Sequence, residues 1–259
     1  MDPRPVVLVT GAARRIGRVI AMDLAAHGYD IAVHFRSSRA DALATVTQVA
    51  AQGARAQAFQ ADLSDEEACR GLIGSVVTQL GRVDAVVNNA STFEPDAAAT
   101  FGHKAMEIHW RANTAPAVLL AQALYGHLMG RSATGCVVNL LDQKLWNLNP
   151  DYFSYTMSKA ALQAATVMLA QAYAPVLRVC GVAPGVTLAS NAMTPEQFSA
   201  AHRLTPLRRS STPQDVAHAV RFLLESPAVT GTNLLVDGGQ HLCAQPRDVL
   251  YLAESVARE

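Results

Sequence analysis

Short apolar runs alternate with longer amphipathic stretches along almost the whole chain, and this alternation constrains the fold more than any other feature. Val6-Val7-Leu8-Val9 is a continuous apolar run, the pattern of a strand covered on both faces. Ile31–Phe35, Ala56–Phe59, Val83–Val87, Cys136–Leu141, Arg178–Ala183 and Leu234–Val236 read as further strands. After the first run, Ile16, Val19, Ile20 and Leu24 fall on one helical face, with Gly28 as the stop. Ser64-Asp65-Glu66-Glu67 predicts a capping box, and Thr212-Pro213-Gln214-Asp215 another helix start. Repeated βα units of this kind predict an α/β protein: one doubly wound parallel sheet of about seven strands with helices on both faces. No repeat, low-complexity tract or linker interrupts residues 1–259, so one domain is expected. Ligands of such sheets bind beyond the C-terminal strand ends, which is where informative residues should stand.

Composition removes several alternatives. Half of the 259 residues are hydrophobic and 16% are charged, far from the polar, charge-rich profile of a disordered chain. Lys plus Arg and Asp plus Glu are 21 each, so no basic excess points to nucleic acid. Cys69, Cys136, Cys180 and Cys243 are dispersed, as expected of small apolar fillers in a reducing compartment. No signal-peptide pattern opens the sequence, and no run of 18 apolar residues occurs; the Ala-rich stretch 160–177 carries Gln163 and Gln171. A soluble cytoplasmic protein without membrane or nucleic-acid partners is the expectation. The eight histidines show no metal spacing, so no metal site is expected.

The first strand runs into Thr10-Gly11-Ala12-Ala13-Arg14-Arg15-Ile16-Gly17, which opens the first helix. Gly11 suits a tight turn, Gly17 suits close helix–sheet packing, and the helix N-terminus offers N–H groups to a pyrophosphate. The second strand ends in His34-Phe35-Arg36-Ser37-Ser38, without the carboxylate that would hold a ribose 2′-hydroxyl. Arg36 and Ser37 suit a 2′-phosphate instead, with Arg14 or Arg15 as a second cation, so NADPH is favoured over NADH. His34 is expected to border the cofactor. Asp62-Leu63 ends the third strand, where an adenine edge would lie, and Asn88-Asn89-Ala90-Ser91 ends the fourth. Tyr155 and Lys159 are four apart in a helix-like segment and share a face, so the ammonium is expected to lower the phenol pKa and make it a usable proton donor.

The ordered set Thr10–Gly17, Asp62, Asn88–Ala90, Asn113, Tyr155 with Lys159, Pro184-Gly185 and Asp237-Gly238-Gly239 resembles the short-chain dehydrogenase/reductase family over nearly the whole chain. The resemblance implies a Rossmann-type fold and an NAD(P)(H) cofactor held by the residues above and by Pro184 and Gly185. It also implies proton donation by Tyr155, ribose binding by Lys159, a water relay at Asn113, and a homotetramer.

Three positions depart from the family pattern. Arg15 replaces the middle glycine of the loop, Ser91 replaces the glycine after Asn-Asn-Ala, and Asp142 stands where the family serine is expected, thirteen residues before the tyrosine. Together with Phe93 and Tyr152 they resemble the pteridine reductases and the related dihydromonapterin/dihydrofolate reductases. The chemistry agrees, because an ionised aspartate cannot donate to a ketone oxygen as a serine does. It suits a substrate with N–H groups or a C=N bond, and Phe93 could stack on a flat ring. Arg15, Ser91, Phe93, Asp142, Tyr152 and Tyr155 are thus the expected substrate contacts. The leading expectation is an NADPH-dependent reductase of dihydrobiopterin, dihydromonapterin or dihydrofolate. Alternatives remain: a protonated Asp142 serving an ordinary carbonyl reductase, a degenerate site in a non-catalytic NADPH-binding regulator, and Phe93 as mere packing. Residues 187–211 are expected to cover the substrate. In the extension 240–259, Val249, Leu250 and Leu252 predict a short helix from Pro246, docked near a subunit contact and bordering a neighbour's substrate cleft.

Overall fold

In the computed structural model, residues 4–189 and 193–256 are described, with side chains in the last helix as far as Ala253. The elements run β1 (Val6–Val9), α1 (Arg15–Ala26), β2 (Asp30–Phe35), α2 (Arg39–Ala50), β3 (Ala56–Gln60), α3 (Glu66–Leu80) and β4 (Ala85–Asn88). α4 (His103–His109) continues through a π-helical turn, Trp110–Thr114, into α5 (Ala115–Gly130). Then come β5 (Gly135–Leu140), a 3-10 turn (Gln143–Trp146), α6 (Phe153–Tyr173), β6 (Leu177–Pro184), α7 (Pro195–Arg203), α8 (Pro213–Glu225), β7 (Asn233–Val236) and α9 (Val249–Val256).

The strands form one parallel sheet in the order β3-β2-β1-β4-β5-β6-β7. The order reverses between β1 and β4, which opens a crevice at their C-terminal ends. β1 shows why its apolar run is unbroken. Val7 and Val9 join the core on one face with Leu24 of α1 and Val220 of α8. Val6 and Leu8 join the other with Leu72 of α3 and Leu124 of α5. Among the described residues, no helix is long and apolar enough to cross a membrane.

Two local expectations need correction. Asp65, not Ser64, caps α3: its carboxylate accepts from Ala68 N at 2.8 Å, a charged acceptor at the positive end of the helix. Ser64 instead donates to Asp62 Oδ1 at 2.7 Å. The terminal helix begins at Val249 rather than near Pro246, because Asp248 Oδ1 accepts from Leu250 N at 3.1 Å. That helix packs on its own chain, with Val249 and Ala253 against Ala200 and Ala201 of α7. Within 187–211 lies α7, opened by a capping box of Thr194 and Gln197. Residues 190–192 and 257–259, which belong to the expected substrate loop and extension, lie outside the described residues.

Candidate active site

The β1–α1 junction is built around a lashing of Thr10 and Asn89. Thr10 Oγ1 accepts from Asn89 N and Ala90 N at 2.9 and 3.0 Å, and Asn89 Nδ2 donates to Thr10 O at 2.8 Å. Gly11 is left-handed (φ +63°), and a Cβ on Gly17 would stand 2.5 Å from Asn89 Nδ2, so both glycines are required by this closeness. Arg15 also has positive φ, 52°, a strained conformation for a residue with a side chain. This explains why the family pattern has glycine there. Its guanidinium reaches across to Ala189 O at 3.3 Å. The N–H groups of Arg15, Ile16 and Gly17 precede the first intrahelical bond, from Arg18 N to Arg14 O, and point out of the helix N-terminus.

His34 is a brace rather than an open cofactor contact. Gly11 N donates to its Nδ1 at 3.0 Å, so the proton sits on Nε2, which faces Ala61 O at 3.1 Å. Burial pushes its pKa down to about 4, keeping the ring neutral.

In front of this junction is a cavity of about 430 Å³. His34, Arg36, Ser37, Asp62 and Leu63 line one end, Gly11 and Arg14 through Gly17 the middle, and Asn89, Ala90 and Ser91 the other. Ser64 hydroxyl and amide bonds hold the Asp62 carboxyl below its usual range. Arg14 pairs with Asp41 (Nε to Oδ2, 2.6 Å). The glycine approach, the exposed first-turn N–H groups and the lack of a carboxylate at the end of β2 fit a dinucleotide.

Arg15, Ile16, Asn89 and Ser91 also line a second cavity of about 340 Å³, which contains Asp142, Tyr152, Tyr155, Lys159, Pro184 and Gly185. Tyr155 donates to Asp142 Oδ2 at 2.8 Å, and Asp142 Oδ1 accepts from Lys144 N at 2.9 Å. Lys159 Nζ donates to Leu140 O at 2.7 Å and lies 5.9 Å from the centre of the Tyr155 ring. The expectation that Lys159 lowers the Tyr155 pKa is not met in this geometry. Burial, then the adjacent Asp142 charge, push the phenol well above its ordinary value. Burial also lowers Lys159 to about 8 and raises Asp142.

Asn113 lies in the π-helical turn. Its amide is occupied by the preceding loop and by α6: it accepts from Thr92 N at 2.7 Å and Ser91 Oγ at 3.1 Å, and donates to Thr92 O and Ser158 Oγ, both at 3.0 Å. Its visible role is to clamp the loop that carries Ser91 and Phe93. Phe93 stacks on Tyr152 (centroids 4.0 Å, 17°) and meets Tyr155 edge-on at 4.7 Å. Phe93 stays 46% exposed, so it is a wall of the cavity and not core packing. Tyr152 has φ 53° and cannot cap α6. Asp96 does so from the Phe93 loop, accepting from Ser154 N and Oγ at 2.9 and 2.5 Å.

The sequence-predicted site residues thus line one or other of these two adjoining cavities, except Asn113, which lines neither and stands behind the loop that does. Sequence reasoning missed Asp96, Gln143, Lys144, Asn149, Gln245 and Asp248; the last five line the catalytic cavity. Among the described residues, no cluster of His, Cys, Asp or Glu could hold a metal ion.

A parallel sheet with a nucleotide cleft at its switch point and a Tyr-Lys pair beside it defines a dinucleotide-dependent oxidoreductase. The enoyl-(acyl carrier protein) reductase family model matches residues 11–241. The chain is 35% identical to the granaticin polyketide synthase putative ketoacyl reductase 2 of Streptomyces violaceoruber, over 92% of this chain and 96% of that protein. It is 30% identical to the 3-oxoacyl-[acyl-carrier-protein] reductase FabG of Staphylococcus epidermidis, over 91% and 98%. The FolM alternative dihydrofolate reductase 1 of Brucella suis, solved in complex with NADP, superposes with a TM-score of 0.90 at 39% identity, covering 96% of this chain and 99% of that one. Its Brucella canis counterpart, also complexed with NADP, gives 0.88 and 38%, covering 96% and 98%. The chain belongs to the short-chain dehydrogenase/reductase family, and its structural neighbours include the FolM alternative dihydrofolate reductases.

Proposed function

We propose that this enzyme is an NADPH-dependent reductase of a dihydropteridine, of the dihydrobiopterin, dihydromonapterin or dihydrofolate type. The observation that carries the reading is the carboxylate of Asp142 2.8 Å from the Tyr155 hydroxyl, where a carbonyl reductase needs a neutral donor. The likeness to the two Brucella reductases supports it. NADPH, when bound, supplies a hydride to the carbon of a C=N bond, whose nitrogen must then gain a proton. Tyr155 holds that proton at its hydroxyl, and its raised pKa keeps it protonated across the physiological range. Asp142 orients the hydroxyl and accepts from substrate N–H groups. Lys159, fixed by Leu140 O, supplies a positive charge and a ribose contact. Asn113 supports the site through Ser91 and Ser158, and its fully occupied amide acts as a clamp rather than as a side-chain water relay. Phe93 offers the face turned away from Tyr152 to a flat ring. Arg36 and Ser37 take the 2′-phosphate, beside Arg14 or Arg15.

The experiment is NADPH oxidation with a panel of dihydropterins and dihydrofolate beside simple ketones and 3-oxoacyl thioesters. Turnover of the dihydropteridines at far higher kcat/KM supports the reading. The second reading, a carbonyl reductase, is favoured by the ketoacyl reductase relatives and by the raised pKa of Asp142, which as a neutral acid would donate like a serine. Preference for the oxo substrates would establish it. NADPH binding without turnover of any substrate would instead mark a regulator.

A further inference from the structure

The catalytic cavity holds a second carboxylate that the reaction above does not use. Asp248 lines it together with Asp142, and its side chain is 16% exposed. The chain fixes it there from three sides. Asp248 N donates to Asp151 Oδ2 at 2.7 Å, and Arg247 Nε forks onto the same Asp151 carboxylate at 2.8 and 3.0 Å. Lys144 Nζ donates to Asp248 Oδ2 at 3.3 Å and to Asp151 O at 2.5 Å. The backbone N–H of the same Lys144 holds Asp142, so one residue ties the two carboxylates into a single frame. Gln143 lines the same cavity, is 8% exposed, and its buried Oε1 has no hydrogen-bond partner among the described residues.

A buried acceptor without a donor is costly, and a carboxylate offers about four acceptor positions. Asp248 uses one on Leu250 N and one on Lys144. The cavity thus presents acceptors in excess of protein donors near its C-terminal wall. A ligand that supplies N–H groups would satisfy them, whereas one that supplies carbonyl oxygens would be repelled.

We propose that Asp248 is a specificity-determining residue, delivered by the C-terminal segment, which with Gln143 accepts hydrogen bonds from an amino-bearing edge of the substrate ring. The inference rests on the dihydropteridine reading. It adds that the enzyme selects a 2-amino over a 2-oxo heterocycle, since a site built for hydrogen bonds rejects the analogue that leaves them unmade.

The test measures kcat/KM for 7,8-dihydropterin and for its 2-oxo counterpart, 7,8-dihydrolumazine, with the full chain and NADPH. The unmodified enzyme should favour the amino compound by about tenfold or more. Asp248→Asn should bring that ratio close to one, while NADPH binding reports that the variant is folded. Gln143→Leu, which breaks no side-chain hydrogen bond among the described residues, should lower the ratio about threefold or more and serves if Asp248→Asn does not fold. Failure to turn over either compound overturns the dihydropteridine reading and this inference with it. Turnover with equal kcat/KM, or a ratio unmoved in the folded variants, overturns the inference alone.

Discussion

At the scale of single residues the chemistry turns on what each side chain can donate. Tyr155→Phe keeps the ring against Phe93 and Asp142 but removes the proton, so kcat should fall about 100- to 10,000-fold, with NADPH affinity nearly intact by fluorescence titration. Asp142→Ser restores a neutral donor at the same place. Steady-state kinetics should show dihydropteridine turnover falling, and ketone turnover rising, by about tenfold or more each. Arg36, exposed just past the end of β2, where the strand itself ends in no acid, should give NADPH an advantage over NADH of about 10- to 150-fold, reversed or erased in Arg36→Glu. These residues were legible because each sits in a short local pattern: Gly11 to Gly17, or Tyr155 to Lys159. Asp248 and Asp96 had no such pattern. Their partners stand 97 and 58 positions away, and a distance of that kind is written in the packing and not in the spacing.

The elements were legible where burial on both faces imposes an unbroken apolar run, as in β1, and less so at their ends. The α3 cap moved by one residue because Ser64 and Asp65 are both good caps, and the carboxylate serves better beside a helix dipole. The final helix was legible in Val249 and Leu250, but its docking on α7 was not, since Ala200 and Ala201 announce nothing in sequence. The β1–α1 turn carries its own pH dependence through His34. Its pKa is about 4 in the folded protein against 6.5 ordinarily, so the unfolded chain binds more protons between these values. Stability therefore rises with pH across this window and is lost as pH falls through it, by on the order of 3 kcal/mol. Urea melts at pH 7 and pH 4.5 should show that loss, and His34→Gln should lose less over the same interval.

At the scale of the molecule, α6 exposes an apolar stripe: Met157 is 43% exposed, Val167 40% and Met168 60%, with Ala160 and Ala164 between them. Ala165 and Ala170 pack on the sheet, so the small residues of this helix serve two faces. We propose that the exposed face meets other copies in a homotetramer; light scattering at micromolar concentration should give four times the chain mass, and a monomer would count against it. The two cavities also differ in where they fall along the chain. Among the described residues, those lining the nucleotide cleft all come before position 113, whereas the catalytic cavity draws on side chains as late as Leu250. The cleft at the β1–α1 junction is thus encoded early and the catalytic cavity late. A protease nick between α8 and α9 should leave a protein that still captures NADPH but no longer turns over substrate, so that cofactor retention by itself would overstate how much working enzyme a preparation contains.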